Sequence, residues 1–343
     1  MISASKVFGP IFDSLSQRQK EVLLGRFGLE GNKVPQTLAA IGNRYGVTRE
    51  RVRQIEAGAL DLLAKKVKSS AACSEVLSKT QKYLKGLGGL AKREAVLDYH
   101  KGSVDGLAEN HLALLAEATD AFGVYPADKH FWSFYYLDKG ALKKASDFVG
   151  QFAKFLRPLK GEVLAGEYDA LFSRFVKQQR IEAKLARNYV GVSKKIHKSP
   201  FGDIGLTEWP EIKPKTIRDR IYLVLKKKSE PVHFRDIADL INESGLGGRK
   251  ALAPTVHNEL IKDSRFVLVG RGIYGLLENG YTIGTAKDVI AKILKKEGPM
   301  TFEKLVSTVQ KDRFFKPNTI LANLQNRDVF ERLDDKSYRV RES

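Results

Sequence analysis

Cysteine is almost missing from this chain: Cys73 is the only one in 343 residues, which excludes an internal disulfide framework and any multi-cysteine zinc site. A reducing, cytoplasmic setting suits that usage. The six histidines, His100, His111, His130, His197, His233 and His257, are scattered with no short ligand spacing, so no metal site is expected. Long apolar runs are missing too. No stretch approaches the roughly 18 apolar residues of a membrane span, and the leading MISASKVFGPIF has no basic segment running into an apolar one, so neither a membrane nor secretion is indicated. Phosphate-cradling loops also fail. GLGG at 86–89 lacks a GK[ST] continuation, and GRGIYG at 270–275 satisfies G-x-G-x-x-G but runs into strand and turn rather than a helix. No cofactor or small-molecule ligand follows from these patterns, and the chain reads as non-catalytic.

Acidic residues are in deficit. Against 40 Asp and Glu stand 59 Lys and Arg, a formal charge of +19. The excess is concentrated at the two ends: 12 basic against 6 acidic side chains over 1–70 and 26 against 17 over 213–343, with 21 against 17 between them. Such an excess favours polyanions, because each neutralised phosphate releases condensed counterions. Double-stranded DNA is therefore the first partner to consider, and a merely solubilising charge is the alternative. Length and the 43% hydrophobic content provide for buried cores in about two to four domains.

What is present begins at Ser16, where Ser16 and Gln19 stand in capping-box spacing ahead of Val22, Leu23 and Phe27 and predict a helix ending near Gly28. After the loop GLEGNKVPQ come TLAAIGNRYG and TRERVRQIEAGALDLLAKKV, two apolar-periodic segments with Gly46 between them, which predict helix, tight turn, longer helix. In the longer segment Thr48 suits an N-cap, and Val52, Ile55, Ala59 and Leu63 fall on the inward face. Arg49, Glu50, Arg53 and Gln54, with Arg51 beside them, project from the first turns, 49 with 53 and 50 with 54 being i,i+4 pairs. These types suit base edges: Arg reaches guanine O6 and N7, Gln reaches adenine, and Glu accepts from cytosine N4. A salt-bridged solvent face is the competing reading.

From about Leu15 to Lys66 the sequence resembles region 4 of the primary bacterial sigma factors, through QKEVLLGRFGL, TLAAIGNRYGVTRERVRQIEAGAL and the register between them. The resemblance implies that Arg49, Glu50, Arg53 and Gln54 contact a promoter −35 element in the major groove. It also implies docking on the flap of the RNA polymerase β subunit. A full sigma factor carries clamp-binding and −10-melting parts ahead of this domain, whereas only 14 residues precede it here. The expectation is a regulator that borrows the reading head.

Between 74 and 200 the periodicity predicts helices at 91–101, 108–119, 140–157 and 162–190 around an aromatic strand, HFWSFYYL. Arg174, Lys177, Arg180, Lys184 and Arg187, then Lys194, Lys195 and Lys198, form a basic stripe that reads either as a phosphate track or as a solvated face. The last third repeats internally: LKKKSEPVHFRDIADLI (225–241) matches LKKEGPMTFEKLVSTV (294–309), and 253–276 matches 316–340. Each copy predicts three helices and a hairpin, the winged-helix plan, with NGYTIG (279–284) as a linker.

The first copy, over about 205–277, resembles the HARE-HTH family of winged helices, found in the polymerase delta subunit, chromatin proteins and some restriction systems. The marks are Trp209, Pro210, Pro214, Tyr222, Leu225, His233 and Phe234. His233 reads as a buried structural histidine. Candidate DNA contacts are Lys250, Thr255, His257, Asn258 and Arg271, with Asn318, Thr319, Asn323 and Lys336 in the second copy, and a protein-docking or merely solvated surface is the equal alternative for this set.

The expected fold is thus mainly α and multidomain: a helix-turn-helix domain over 1–70, a mostly helical middle domain over 74–200, and tandem winged helices over 205–278 and 285–341. The expected function is DNA-binding transcription regulation at the nucleoid. An architectural DNA-binding protein is the first rival. A metal-dependent nuclease built on Asp169, Glu182 and Lys184, or on Asp203, Glu211 and Lys213, is the second.

Overall fold

The computed structural model describes residues 1–29, 34–281 and 284–341, the side chains of 311 and 312 excepted. They group into two compact units, Met1–His197 and Lys198–Ser343. The first unit opens with β1 (Ile2–Ser3) and α1 (Ala4–Phe12), followed by α2 (Gln17–Phe27), α3 (Leu38–Tyr45), α4 (Arg49–Ser69) and α5 (Ala71–Lys85). Next come β2 (Leu90–Lys92), α6 (Arg93–His100), β3 (Val104–Asp105), α7 (Glu109–Thr119), β4 (Gly123–Tyr125), β5 (Phe134–Tyr136) and α8 (Lys139–Leu156). The one-turn α9 (Lys160–Glu162), then α10 (Tyr168–Gln178), α11 (Ala183–Val192) and β6 (Ile196–Lys198) complete the series.

No linker separates a head from a middle domain near residue 70. Ser70 ends α4 and caps α5, its hydroxyl accepting from the Cys73 N–H at 3.4 Å. One apolar core runs through both regions, joining Val7, Phe8 and Ile11 of α1, Leu23 of α2, Leu63 and Val67 of α4, and Leu114 and Leu115 of α7. Strand β1 pairs in parallel with β3, Ile2 opposite Val104. The expected boundary between 1–70 and 74–200 therefore falls inside a continuous core. Local periodicity could not reveal this, because the joining contacts are far apart in sequence.

The middle helices stand close to their expected places, with two breaks in the expected helix over 162–190, the first a π-helical turn over Val163–Glu167 in which Gly166 takes φ 100°. The second divides it into α10 and α11 at Arg180, which takes a left-handed φ of 52°. The basic stripe is accordingly split, Arg174 and Lys177 on one helix and Lys184 and Arg187 on the other. Phe148 and Phe152 of α8 pack edge-on against Phe175 and Phe172 of α10, ring centroids 5.4 and 5.5 Å apart, and Phe148 also meets Tyr189 of α11 at 5.9 Å, so that α8 braces both sides of the bend. The aromatic run forms a strand only over Phe134–Tyr136, the centre of an antiparallel sheet ordered β2-β5-β4. GLGG is a packing turn: Gly88 and Gly89 have φ of 78° and 89°, and a Cβ on Gly88 would lie 2.4 Å from the Tyr189 hydroxyl.

In the second unit, β7 (Ile204–Leu206) leads to α12 (Ile217–Lys228), β8 (Val232–His233), α13 (Phe234–Glu243), α14 (Ala253–Lys262), β9 (Phe266–Gly270) and β10 (Ile273–Leu276). The second copy follows with α15 (Ala286–Glu297), β11 (Met300–Thr301), α16 (Phe302–Asp312), α17 (Pro317–Leu324), β12 (Phe330–Arg332) and β13 (Ser337–Val340). The two sheets have the same plan, β8-β10-β9 and β11-β13-β12, and each copy adds a short strand between its first two helices to the expected hairpin. GRGIYG is the β9–β10 turn, with Gly272 at φ 73°. His233 is half-buried rather than buried and caps α13, its Nδ1 accepting from the Arg235 N–H at 3.4 Å.

Part of the linker NGYTIG lies outside the described residues, and a second connection joins the copies. Arg313, only 1% exposed, donates from its guanidinium to the Leu268 carbonyl at 2.7 Å, and the Phe314 N–H donates to the Val269 carbonyl at 2.9 Å. Extended chain from the second copy thus lies along the outer edge of β9. Arg313→Ala is expected to destabilise this unit by about 1–3 kcal/mol, because the burial that Arg313 provides is lost along with a hydrogen bond to a carbonyl. An unchanged denaturant midpoint would show that the edge contact contributes nothing.

Candidate nucleic-acid interface

The geometry of the helix-turn-helix follows from its caps. Ser16 and Gln19 close a capping box at the start of α2, and Gly28 ends that helix at φ 63°. Thr37 caps α3, its hydroxyl accepting from the Ala40 N–H at 3.1 Å. Gly46, at φ 65°, turns the chain out of α3, and Thr48 starts α4 by accepting from the Arg51 N–H at 3.2 Å. Stop and start are two residues apart, so the turn has little freedom. Gly42 decides how close the helices come: a Cβ there would lie 2.6 Å from the Val47 carbonyl. Sequence reading picked out Gly46 and missed Gly42, whose demand is a contact between backbones rather than a local turn.

Inside the motif, Val22, Ile41 and Val52 form a small core, each 1% exposed or less, with Leu38, Tyr45, Val47 and Ile55 packed around it. Two braces tie α2 to its neighbours. Arg26 forms an ion pair with Glu56 of α4 at 3.0 Å and donates to the Gln36 carbonyl at 3.0 Å, which holds the segment leading into α3. The Arg18 and Arg44 guanidinium carbons sit 4.1 and 4.6 Å from the Tyr45 ring centre. Burial, followed by a hydrogen bond to Glu21, raises the Tyr45 phenol above its ordinary pKa.

With Val52 turned inward, Arg49, Glu50, Arg51, Arg53 and Gln54 are all exposed on the first turns of α4. They contact one another at i,i+3, not at the i,i+4 spacing expected. Arg53 grips the Glu50 carboxylate with Nε at 2.9 Å and a terminal nitrogen at 2.7 Å, and Arg51 donates to the Gln54 side chain at 3.1 Å. The hydrogen bond from Arg53 holds the Glu50 carboxyl below its usual range, with Coulombic help from Arg53 and Arg49. Both partners of the pair are 59% exposed, so solvent screening leaves it little weight in stability. Its effect is on geometry, since it fixes where an acceptor and a cation sit side by side. The arrangement offers donors and acceptors on the end of a helix narrow enough for a major groove.

The candidates in the second unit divide. Lys250, Thr255, Asn258 and Arg271 are exposed, as are Asn318, Thr319 and Lys336. His257 is instead part of a ring stack, 4.6 Å from Phe234 and 6.0 Å from Tyr274. Asn323 donates to the Thr319 carbonyl of its own helix at 2.8 Å. Sequence reading missed Arg220, which donates to the Gly247 and Arg249 carbonyls at 3.1 and 2.8 Å and shapes the loop that presents Lys250. Of the first set considered for a nuclease, Asp169 lies on α10 and Glu182 at the start of α11, not on one continuous helix. Among the described residues no group of three His, Cys, Asp or Glu could hold a metal ion. No described helix is long and apolar enough to cross a membrane.

Gly42→Ala is expected to destabilise the first unit by about 1–3 kcal/mol, since the added methyl meets backbone and not a side chain that can rotate away. A thermal midpoint at or above that of the parent would show that the two helices can separate freely.

Comparison with known proteins reaches the same segment. The profile of Sigma-70, region 4 matches residues 11–65. The RNA polymerase sigma factor sigB of Arabidopsis thaliana is 45% identical over 60 residues, which are 18% of this chain and 10% of that protein. The RNA polymerase sigma factors SigA of a Bacillus species and of a Nostoc species are 50% and 52% identical over 50 residues, 15% of this chain and 13% of each relative. The match therefore spans little more than a tenth of those relatives. Exposed polar side chains on the second helix of a compact helix-turn-helix, and a match confined to that motif, lead to one conclusion: residues 11–65 are a Sigma-70 region 4 domain, a DNA-binding helix-turn-helix within a longer chain.

Proposed function

We propose that this protein is a transcription regulator that reads promoter DNA of the −35 type through α4 and associates with RNA polymerase through the same domain, on the flap of the β subunit. The observation that carries the reading is the free end of α4. Arg49, Glu50, Arg53 and Gln54 stand together in solvent on two turns whose inward side is fixed by Val52. The relatives matched over this segment are named as RNA polymerase sigma factors, which supports polymerase as a partner. The positive charge supports a polyanion beside it.

Thr48 positions the helix end, and Arg51, held by Gln54, lies where it can meet a phosphate beside the bases read by Arg53. In the second unit we assign Lys250, Thr255, Asn258 and Arg271, and Asn318, Thr319 and Lys336, to further contacts with DNA, α14 and α17 serving as groove helices of two winged-helix modules.

Arg53→Ala is expected to weaken binding at a preferred duplex by about ten- to a hundredfold while leaving binding to unrelated duplexes nearly unchanged. Fluorescence anisotropy on both duplexes at fixed salt checks this, and an equal loss on every sequence would remove base readout. Immobilised protein is likewise expected to retain core polymerase from a bacterial lysate after nuclease treatment. Loss of polymerase on nuclease treatment would mean that DNA was the only bridge, and would favour an architectural role.

A further inference from the structure

Outside the helix-turn-helix, the first unit displays an unusual aromatic. Trp132 is 48% exposed, whereas the other tryptophan, Trp209, is 6% exposed. Its backbone is anchored: the Trp132 N–H donates to the Val192 carbonyl at 2.9 Å, and Phe131 bridges Ser193. The turn before it is stitched by Asp128, whose carboxylate accepts from the His130 and Phe131 N–H groups at 2.8 and 2.6 Å and from the Tyr125 hydroxyl at 3.0 Å. The ring is thus exposed on a rigid support, not on a loose loop.

Two ammonium groups flank it. The Lys194 Nζ lies 4.6 Å from the ring centre and is held there by donating to the Asp128 carbonyl at 2.7 Å, and the Lys92 Nζ lies at 6.0 Å. Lys129 is exposed on the same turn. Among the described residues none of these three lysines has a carboxylate partner. The Asp128 carboxylate, the nearby anion, is taken up by its own turn. A half-exposed aromatic ring and several cations without carboxylate partners are therefore presented together, a combination that a ligand with both a flat π-face and anionic groups would meet.

We propose that Trp132 is a stacking platform for an unpaired nucleobase, with Lys92, Lys129 and Lys194 holding the adjoining phosphates. Single-stranded nucleic acid supplies a flat π-face and anionic groups within one nucleotide, and cationic grooves with exposed aromatics bind it with little regard to sequence. A duplex keeps its base faces inside the stack. An acidic peptide would satisfy the lysines and leave the ring in water. The site is separate from promoter reading by α4, so Arg53→Ala leaves it intact.

The test is a titration of the full chain, followed by tryptophan emission, with short oligo(dT), oligo(U), a duplex of equal length and polyglutamate of equal charge. Oligo(dT) or oligo(U) is expected to quench the emission where the duplex and polyglutamate do not, the tighter of the two identifying DNA or RNA as the source. Followed by fluorescence anisotropy of the same oligonucleotides carrying a dye, Trp132→Ala is expected to weaken that binding by about five- to a hundredfold, with Trp132→Phe recovering part of the loss and the unfolding midpoint unchanged. Should Trp132→Ala fail to fold, Lys194→Gln carries the test through a shallower dependence of affinity on salt. Absence of quenching, equal quenching by polyglutamate, or full affinity in folded Trp132→Ala or an unaltered salt slope in Lys194→Gln would overturn the proposal.

Discussion

Burial along the two halves of α4 is the constraint on which the first unit depends. At 21 residues the helix is about 30 Å long, enough to serve two cores. Val52, near its start, closes the small cluster with Val22 and Ile41, while Ala59, Leu63 and Val67 enter the larger core with α1, α5 and α7. A cluster centred on three side chains removes too little apolar surface from water to hold a motif alone. Sharing one helix with the larger core solves this, because the exposed first turns cannot tilt without disturbing Leu63 and Val67. Rigidity at the exposed end is thus supplied from the buried end.

The same rigidity bears on the electrostatics of the surface. In the free protein the guanidinium of Arg53 is engaged by Glu50, so a base that binds Arg53 must either share that guanidinium or displace the carboxylate. Displacement is inexpensive in solvent, where the pair contributes little. A wrong base would leave Glu50 facing an acceptor. In the proposed reading the carboxylate works for selectivity by exclusion, which lysines and arginines alone could not provide.

Much of this was legible in the sequence because the signals are local. Caps at Ser16 and Thr48 and the left-handed turns at Gly28 and Gly46 are each set by residues within a turn of one another, and the inward periodicity of α4 needs no distant partner. The internal repeat was legible for a similar reason, since two copies carry the same apolar spacing and give the same sheet order. The features that escaped depend on contacts distant in sequence. Helix α1 carries Pro10 inside it and no helix was expected there, yet Val7, Phe8 and Ile11 are buried in the core shared with α4 and α5. The break at Arg180 interrupts no apolar pattern, because α10 and α11 both bury aromatic faces. His257 looked like a polar residue on a groove helix, and only the positions of Phe234 and Tyr274 show that its ring is part of a stack.

The contact of Arg313 and Phe314 with β9 has a consequence beyond holding two modules together. Strand β9 ends its sheet, and its outer carbonyls, beside the half-exposed Leu268, would otherwise present a template for a strand from another molecule. The neighbouring copy fills that template with its own chain, and Gly270 gives the room, its Cβ position lying 3.0 Å from the Phe314 side chain. Duplication of the module thus brought its own protection against polymerisation: each molecule caps from within an edge that would otherwise recruit its neighbours.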